Sequence, residues 1–159
     1  FNSSGYGTSM PYFENGKLIW AGEDSTRARC SSINYISLNE TSIGELYPGV
    51  YVHDPETNGK YYAWLDSPHG PSAKLYVWDG SGTPVAVAEG VVEFGIEENF
   101  AAYGKDEAVW IYVFENGKSY RLTPERENTQ FLGVSGGYVM WMDVTSRERD
   151  IIKYALPPL

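Results

Sequence analysis

Apolar and polar residues alternate along this chain in short bursts, and a turn signal closes each burst. Phe13-Glu-Asn-Gly-Lys-Leu-Ile-Trp20 sets the pattern: a turn of Asn and Gly, then a brief apolar strand ending on a large aromatic. Glu56-Thr-Asn-Gly-Lys-Tyr-Tyr-Ala-Trp64, Ile96-Glu-Glu-Asn-Phe-Ala-Ala-Tyr103 and Val134-Ser-Gly-Gly-Tyr-Val-Met-Trp141 repeat it. The closing aromatics Trp20, Trp64, Tyr103 and Trp141 are 44, 39 and 38 residues apart. A second marker follows each of them, centred on Tyr35, Tyr76, Tyr112 and Tyr154, with spacings of 41, 36 and 42. Two markers recurring together at such a period signal a repeat architecture.

Each unit reads as four short strands. In the second unit they are Val50–His53, Lys60–Leu65, Lys74–Asp79 and Pro84–Ala88. In the third they are Val91–Ile96, Phe100–Gly104, Val109–Phe114 and Ser119–Thr123. The pairs Asn15-Gly16, Asn58-Gly59, Asp79-Gly80 and Asn116-Gly117 suit tight hairpins, because Asn and Gly accept positive φ. No segment carries a helical period with caps. The expected fold class is therefore all-β: a β-propeller of four-stranded antiparallel blades. About four blades are expected, near 8–48, 49–90, 91–129 and 130–157, making residues 1–159 one propeller or part of a larger ring. A single sheet cannot bury its faces alone, so aromatics between neighbouring blades form the expected core. Trp20, Trp64, Tyr103 and Trp141 are the candidates.

The fourth unit offers only Gln130–Ser135, Tyr138–Met142 and Asp150–Leu156 before Pro157-Pro158-Leu159. The segment Phe1–Gly7 is short and Gly-rich, a poor strand to complete it. Part of a larger ring is the favoured expectation, with exposed terminal blades that self-associate or meet a partner. The chain begins at Phe1 rather than Met, as a processed product or a piece of a longer protein would.

Several pieces resemble one known family. They are Asn15-Gly16-Lys17-Leu18-Ile19-Trp20, Asn58-Gly59-Lys60 and Tyr76-Val77-Trp78-Asp79-Gly80. Ile111-Tyr112-Val113-Phe114-Glu115-Asn116-Gly117 followed by Tyr120-Arg121-Leu122-Thr123 is another. From about Phe13 to Pro157 the chain resembles the bacterial TolB-like, WD40-like propellers. No unit has an intact Ser-Pro-Asp-Gly, and only one has Arg-Leu-Thr. The resemblance implies a secreted, periplasmic or cell-envelope protein that serves as an interaction scaffold. It also allows a propeller domain of a hydrolase.

Composition narrows the function classes. There are 21 acidic and 12 basic residues, a formal net charge of -9. A nucleic-acid binder needs a basic surface, and so does a protein drawn to an anionic membrane. Neither is expected. The longest apolar run, Ala108 to Phe114, is far short of the roughly 20 residues of a spanning helix, so membrane insertion is not expected either. Cys30 is the only cysteine, which excludes an internal disulfide framework and a Cys-based zinc site. Aromatics make up 15% of the chain. Much of that excess is the repeat's own inventory rather than a ligand platform.

Function is expected on loops that open to one face of the blades: Gly22–Ser32, Asp66–Ala73, Lys105–Ala108 and Asp143–Arg149. The candidate binding residues there are Glu23, Asp24, Arg27, Arg29, Asp66, His69, Lys105, Asp106, Asp143, Arg147 and Arg149. Asp66 and Asp143 each lie two residues past the repeat Trp. Such a pair suits acid–base work or a metal, while repetition in phase favours the capping of a turn. His53-Asp54-Pro55 is expected near the end of an innermost strand, with Asp54 placed to orient His53 as in a hydrolytic triad. There is no Gly-x-Ser-x-Gly elbow, and a structural or surface role is the favoured reading for both His53 and His69. His69 sits in a Pro-rich loop. Tyr61, Tyr62, Trp78 and Trp110 are further aromatics for a neighbouring blade, a sugar or a protein to cover. No motif calls for a cofactor, a metal or a catalytic residue. The leading expectation is a non-catalytic scaffold that binds a protein or glycan. The alternatives are a carbohydrate-active or other hydrolytic propeller using loop carboxylates, and a propeller domain cut from a peptidase.

Overall fold

The computed structural model describes residues 11–23, 31–67, 73–146 and 151–155. Phe1–Gly7 and Pro157-Pro158-Leu159 lie outside the described residues. Every regular element described is a strand, and every described pairing is antiparallel. In order they are β1 (Tyr12–Glu14), β2 (Lys17–Glu23), β3 (Ser31–Ser37), β4 (Gly44–Pro48), β5 (Val52–Thr57), β6 (Tyr62–Asp66) and β7 (Ala73–Trp78). Then follow β8 (Val85–Ile96), β9 (Phe100–Lys105), β10 (Ala108–Val113), β11 (Lys118–Arg121), β12 (Thr129–Ser135), β13 (Tyr138–Asp143) and β14 (Ile151–Ala155). The chain forms two compact units, Phe1–Ala86 and Val87–Leu159, and β8 begins in the first and ends in the second.

The first unit holds the meander β1-β2-β3-β4 and the run β5-β6-β7, which the start of β8 follows. Asn15 and Gly16 turn the first hairpin at φ 47° and 77°, the left-handed pair that matches strand twist. Asn15 Nδ2 donates to the Asn58 carbonyl at 2.7 Å, which ties this turn to the Asn58-Gly59 turn of the next sheet. A Cβ on Gly59 would come within 2.6 Å of the Asn15 Cβ, so the approach requires glycine. Between the two sheets Ile19, Ala21 and Ile33 pack against Val52, Tyr62 and Trp64. Burying each large aliphatic or aromatic side chain contributes about 1.5–3 kcal/mol before the cost of ordering the chain.

The second unit is built alike. The latter part of β8 leads the run β9-β10-β11, and β12-β13-β14 forms a three-stranded sheet. Phe100, Ala102, Val109 and Ile111 pack against Phe131, Val139 and Trp141. Trp64 and Trp141 thus do the same work in the two units. Each lies on the second strand of its sheet and fills the seam with the sheet before it.

Several expectations need correction. Trp20 is only half-buried, and Ile19, at 0% exposure, takes the core position beside it. Side chains alternate across a strand, so a one-residue offset exchanges faces. The Tyr marker shows the same effect. Tyr76 pairs with Trp64, whereas Tyr35 pairs with Ile19 and Tyr154 with Met140, each one residue out of phase. Two strands expected around Gly90 are one continuous strand, β8, with Gly90 at φ 76° inside it. The expected strand Val50–His53 instead runs from Val52 to Thr57, so His53 stands near the start of β5.

Candidate functional site

The strands β5, β8 and β12 each carry a bulge against the strand that follows in sequence. Register shifts between His53 and Glu56 in β5, between Val91 and Glu93 in β8 and between Phe131 and Gly133 in β12. Each bulge adds one residue, and bulges re-aim side chains. In β5 the extra residue falls at Asp54-Pro55, across from Trp64, and Asp54 takes a left-handed backbone with φ 48°. In a regular strand His53 and Asp54 would point to opposite faces. Here His53 Nδ1 meets Asp54 Oδ2 at 2.9 Å, and His53 Nε2 meets Ser67 Oγ at 3.0 Å. Ser67 directly follows β6, and its N–H donates to the Tyr51 carbonyl at 3.0 Å. Serine 67 was not among the sequence candidates. Its only signal was its place one residue past Asp66, on the loop that also holds His69.

Asp66 lies at the end of β6 with 4% exposure. Its carboxylate accepts from the N–H groups of Val50 at 3.3 Å and Tyr51 at 2.9 Å, and so caps the turn entering β5. Gly49 must be glycine there, because a Cβ would collide with Val52 Cγ1 and press on Asp66 Oδ2. Asp143 ends β13 in the equivalent register, opposite Thr129 as Asp66 is opposite Val52. It accepts from the Thr145 N–H at 3.0 Å. Both carboxylates thus act on backbone donors, as the turn-capping reading expects.

The remaining candidates divide between turns and undescribed positions. Lys105 ends β9, and its Nζ lies 4.0 Å from an Asp106 carboxylate that is 79% exposed. Asp106 and Glu107 form a two-residue turn with φ 51° and 55°. The Glu107 carbonyl accepts from Thr129 N–H at 2.8 Å and Thr129 Oγ1 at 3.1 Å. Glu23 is the last residue of β2. Asp24, Arg27, Arg29, His69, Arg147 and Arg149 lie outside the described residues. Among the described residues no group of three His, Cys, Asp or Glu side chains is arranged to hold a metal ion.

The aromatics are largely occupied with one another. Tyr47 packs on Trp64 and Tyr76 at centroid distances of 5.2 and 5.0 Å, and Trp64 stacks on Tyr76 at 5.8 Å. Tyr62 is buried and meets Trp78 at 5.5 Å, while Trp78 Nε1 donates to the Gly82 carbonyl at 3.1 Å. Burial, then the Tyr76 hydroxyl and the Asp66 carboxylate, hold the Tyr47 hydroxyl well above the ordinary phenol range. Burial also raises Tyr103, against a smaller lowering by Ser119.

With this geometry in view, comparison with solved structures shows what the chain is similar to. It matches a prolyl endopeptidase structure with a TM-score of 0.70 at 9% identity, over 92% of this chain and 25% of that one. A puromycin-hydrolyzing peptidase of Mycobacterium tuberculosis matches with a TM-score of 0.60 at 13% identity, over 91% of this chain and 28% of that one. The N-terminal domain of Nup159 matches with a TM-score of 0.53 at 12% identity, over 91% of this chain and 43% of that one. The propeller type of fold is supported. At these identities the likeness concerns fold alone. The chain spans about a quarter of the length of the two peptidases. No family profile and no curated protein matches it.

Proposed function

We propose that this chain is part of the propeller domain of a larger peptidase, in which it shapes access to a catalytic centre carried by another domain. The observation that carries this reading is the match to the prolyl endopeptidase, with a TM-score of 0.70 over 92% of this chain but 25% of that one. It favours the peptidase alternative over a free-standing TolB-like scaffold of the cell envelope. The blades here form part of a larger ring on this reading. The acidic character of the chain suits it too, because net charge acts on which peptides approach. The reading frame that encodes Phe1–Leu159 provides the test. A downstream hydrolase domain with a Gly-x-Ser-x-Gly elbow is expected. With that protein in hand, Lys105→Ala plus Asp106→Ala is expected to change the preference among peptides of different length and charge. A frame with no hydrolase domain returns the function to a scaffold that binds a protein or glycan.

A further inference from the structure

Asp66 and Asp143 recur in register, and so does the bulge, which marks both as parts of blade architecture. The His53–Ser67 contact does not recur. Counted from the pairs Val52–Asp66, Val91–Lys105 and Thr129–Asp143, the positions of His53 and Ser67 are held by Val92 and Asp106 in β8 and its partner turn. In the last sheet they are held by Gln130 and Val144. A blade of this design therefore closes without a His–Ser contact. Where the contact does occur, it comes with a carboxylate on the second ring nitrogen and a left-handed Asp54 that brings it there. Asn15, Asp106 and Glu107 share that backbone in turns, so what sets Asp54 apart is the histidine its carboxylate meets.

We propose that Ser67 is an activated serine nucleophile, with His53 as its general base and Asp54 as the residue that positions His53. The carboxylate only accepts hydrogen bonds, so it fixes the proton on His53 Nδ1. Nε2 then accepts from Ser67 Oγ, the arrangement that activates a serine. The substrate class is a small activated ester. Ser67 Oγ forms a bond to the acyl carbon as the ester C–O bond breaks. The Oγ proton passes to Nε2 and from there to the departing alkoxide. Water, deprotonated at Nε2, then releases the acid and restores Ser67. Because the Ser67 N–H is engaged by the Tyr51 carbonyl, it does not serve as an oxyanion donor. Both acylation and release go without that stabilisation, so turnover is slow and covalent labelling by a reactive probe is the apt measure.

The test treats the protein that carries Phe1–Leu159, with any flanking domains its reading frame encodes, with a fluorophosphonate probe and maps every adduct by peptide mass spectrometry. Phosphonylation joins Oγ to phosphorus and expels fluoride with the Oγ proton. The adduct is expected on Ser67, with a rate that falls roughly 10²-fold in His53→Gln, the usual scale of a lost general base. It is expected to fall roughly tenfold in Asp54→Asn, less than for a buried triad carboxylate because this one is 70% exposed. A melting temperature measured beside each rate separates lost reactivity from lost fold, and Asp54→Asn serves if His53→Gln does not fold. Adducts spread evenly over the serines would overturn the proposal. So would a Ser67 rate unchanged in a folded His53→Gln or Asp54→Asn variant. A peptidase domain elsewhere in a longer parent leaves this result intact, since the mapped peptide identifies which serine reacted.

Discussion

Asp66 is a carboxylate with 4% exposure and two backbone donors, so each part of its role is measurable at the level of one side chain. Asp66→Asn keeps the volume but replaces an acceptor oxygen with a donor facing an N–H. A loss of about 1–3 kcal/mol is expected in urea unfolding, with an unchanged slope. Gly49→Ala is expected to cost about 1–3 kcal/mol by overpacking against Val52 and Asp66. Trp64 tests the core. Its ring is fully buried, and its Nε1 has no hydrogen-bond partner. Trp64→Phe therefore sacrifices apolar area but no hydrogen bond and should cost about 1–2 kcal/mol, against about 3–5 kcal/mol for Trp64→Ala. Tyr47 and Tyr103 predict the alkaline limb of stability. Their folded forms keep the proton to higher pH than the unfolded chain does. Stability from this source is whole below the ordinary phenol value of about 10 and is lost as pH rises above it. Tyr47→Phe should flatten that decline in alkaline denaturation, and a decline of unchanged steepness would count against this origin.

At the scale of the element, the turn Asp106-Glu107 places two non-glycine residues at positive φ. The left-handed region costs an ordinary L-residue about 1–2 kcal/mol. Glu107→Gly should raise stability by about 1 kcal/mol after the extra freedom of glycine in the unfolded chain is counted. Thermal unfolding is the check. Much of the strand pattern was legible because alternation and Asn-Gly turns are local properties. The hairpin β9–β10 and the strands β12 and β13 fall close to where the periodicity puts them. Bulges were not legible. An extra residue changes no local propensity, and its place is decided by pairing with a strand that the sequence lists elsewhere. The phase of the Tyr marker and the exchange of Trp20 for Ile19 are also matters of register, but no bulge produces them, since β2–β3 and β13–β14 pair without interruption.

For the whole molecule, a net charge of -9 places repulsion on the folded state that salt screens. The melting temperature should rise as ionic strength increases from about 0.01 to 0.15 M, where the screening length falls from about 30 to 8 Å. The repeat, the all-β class and the absence of basic character follow from residue types and spacing. A sequence by itself determines those because each depends on composition or on neighbours along the chain. The turn at Asp106-Glu107 was likewise legible as a polar turn, and Asp66 and Asp143 as a repeated pair. The chemistry of Ser67 was not, because His53 and Ser67 are 14 residues apart and neither is unusual alone. Only the tertiary structure could join them. The β5–β6 pairing sets the distance, and the bulge at Asp54 turns the carboxylate to the histidine's side. Hydrogen-bond geometry between strands is a property of register, and register arises when the chain folds.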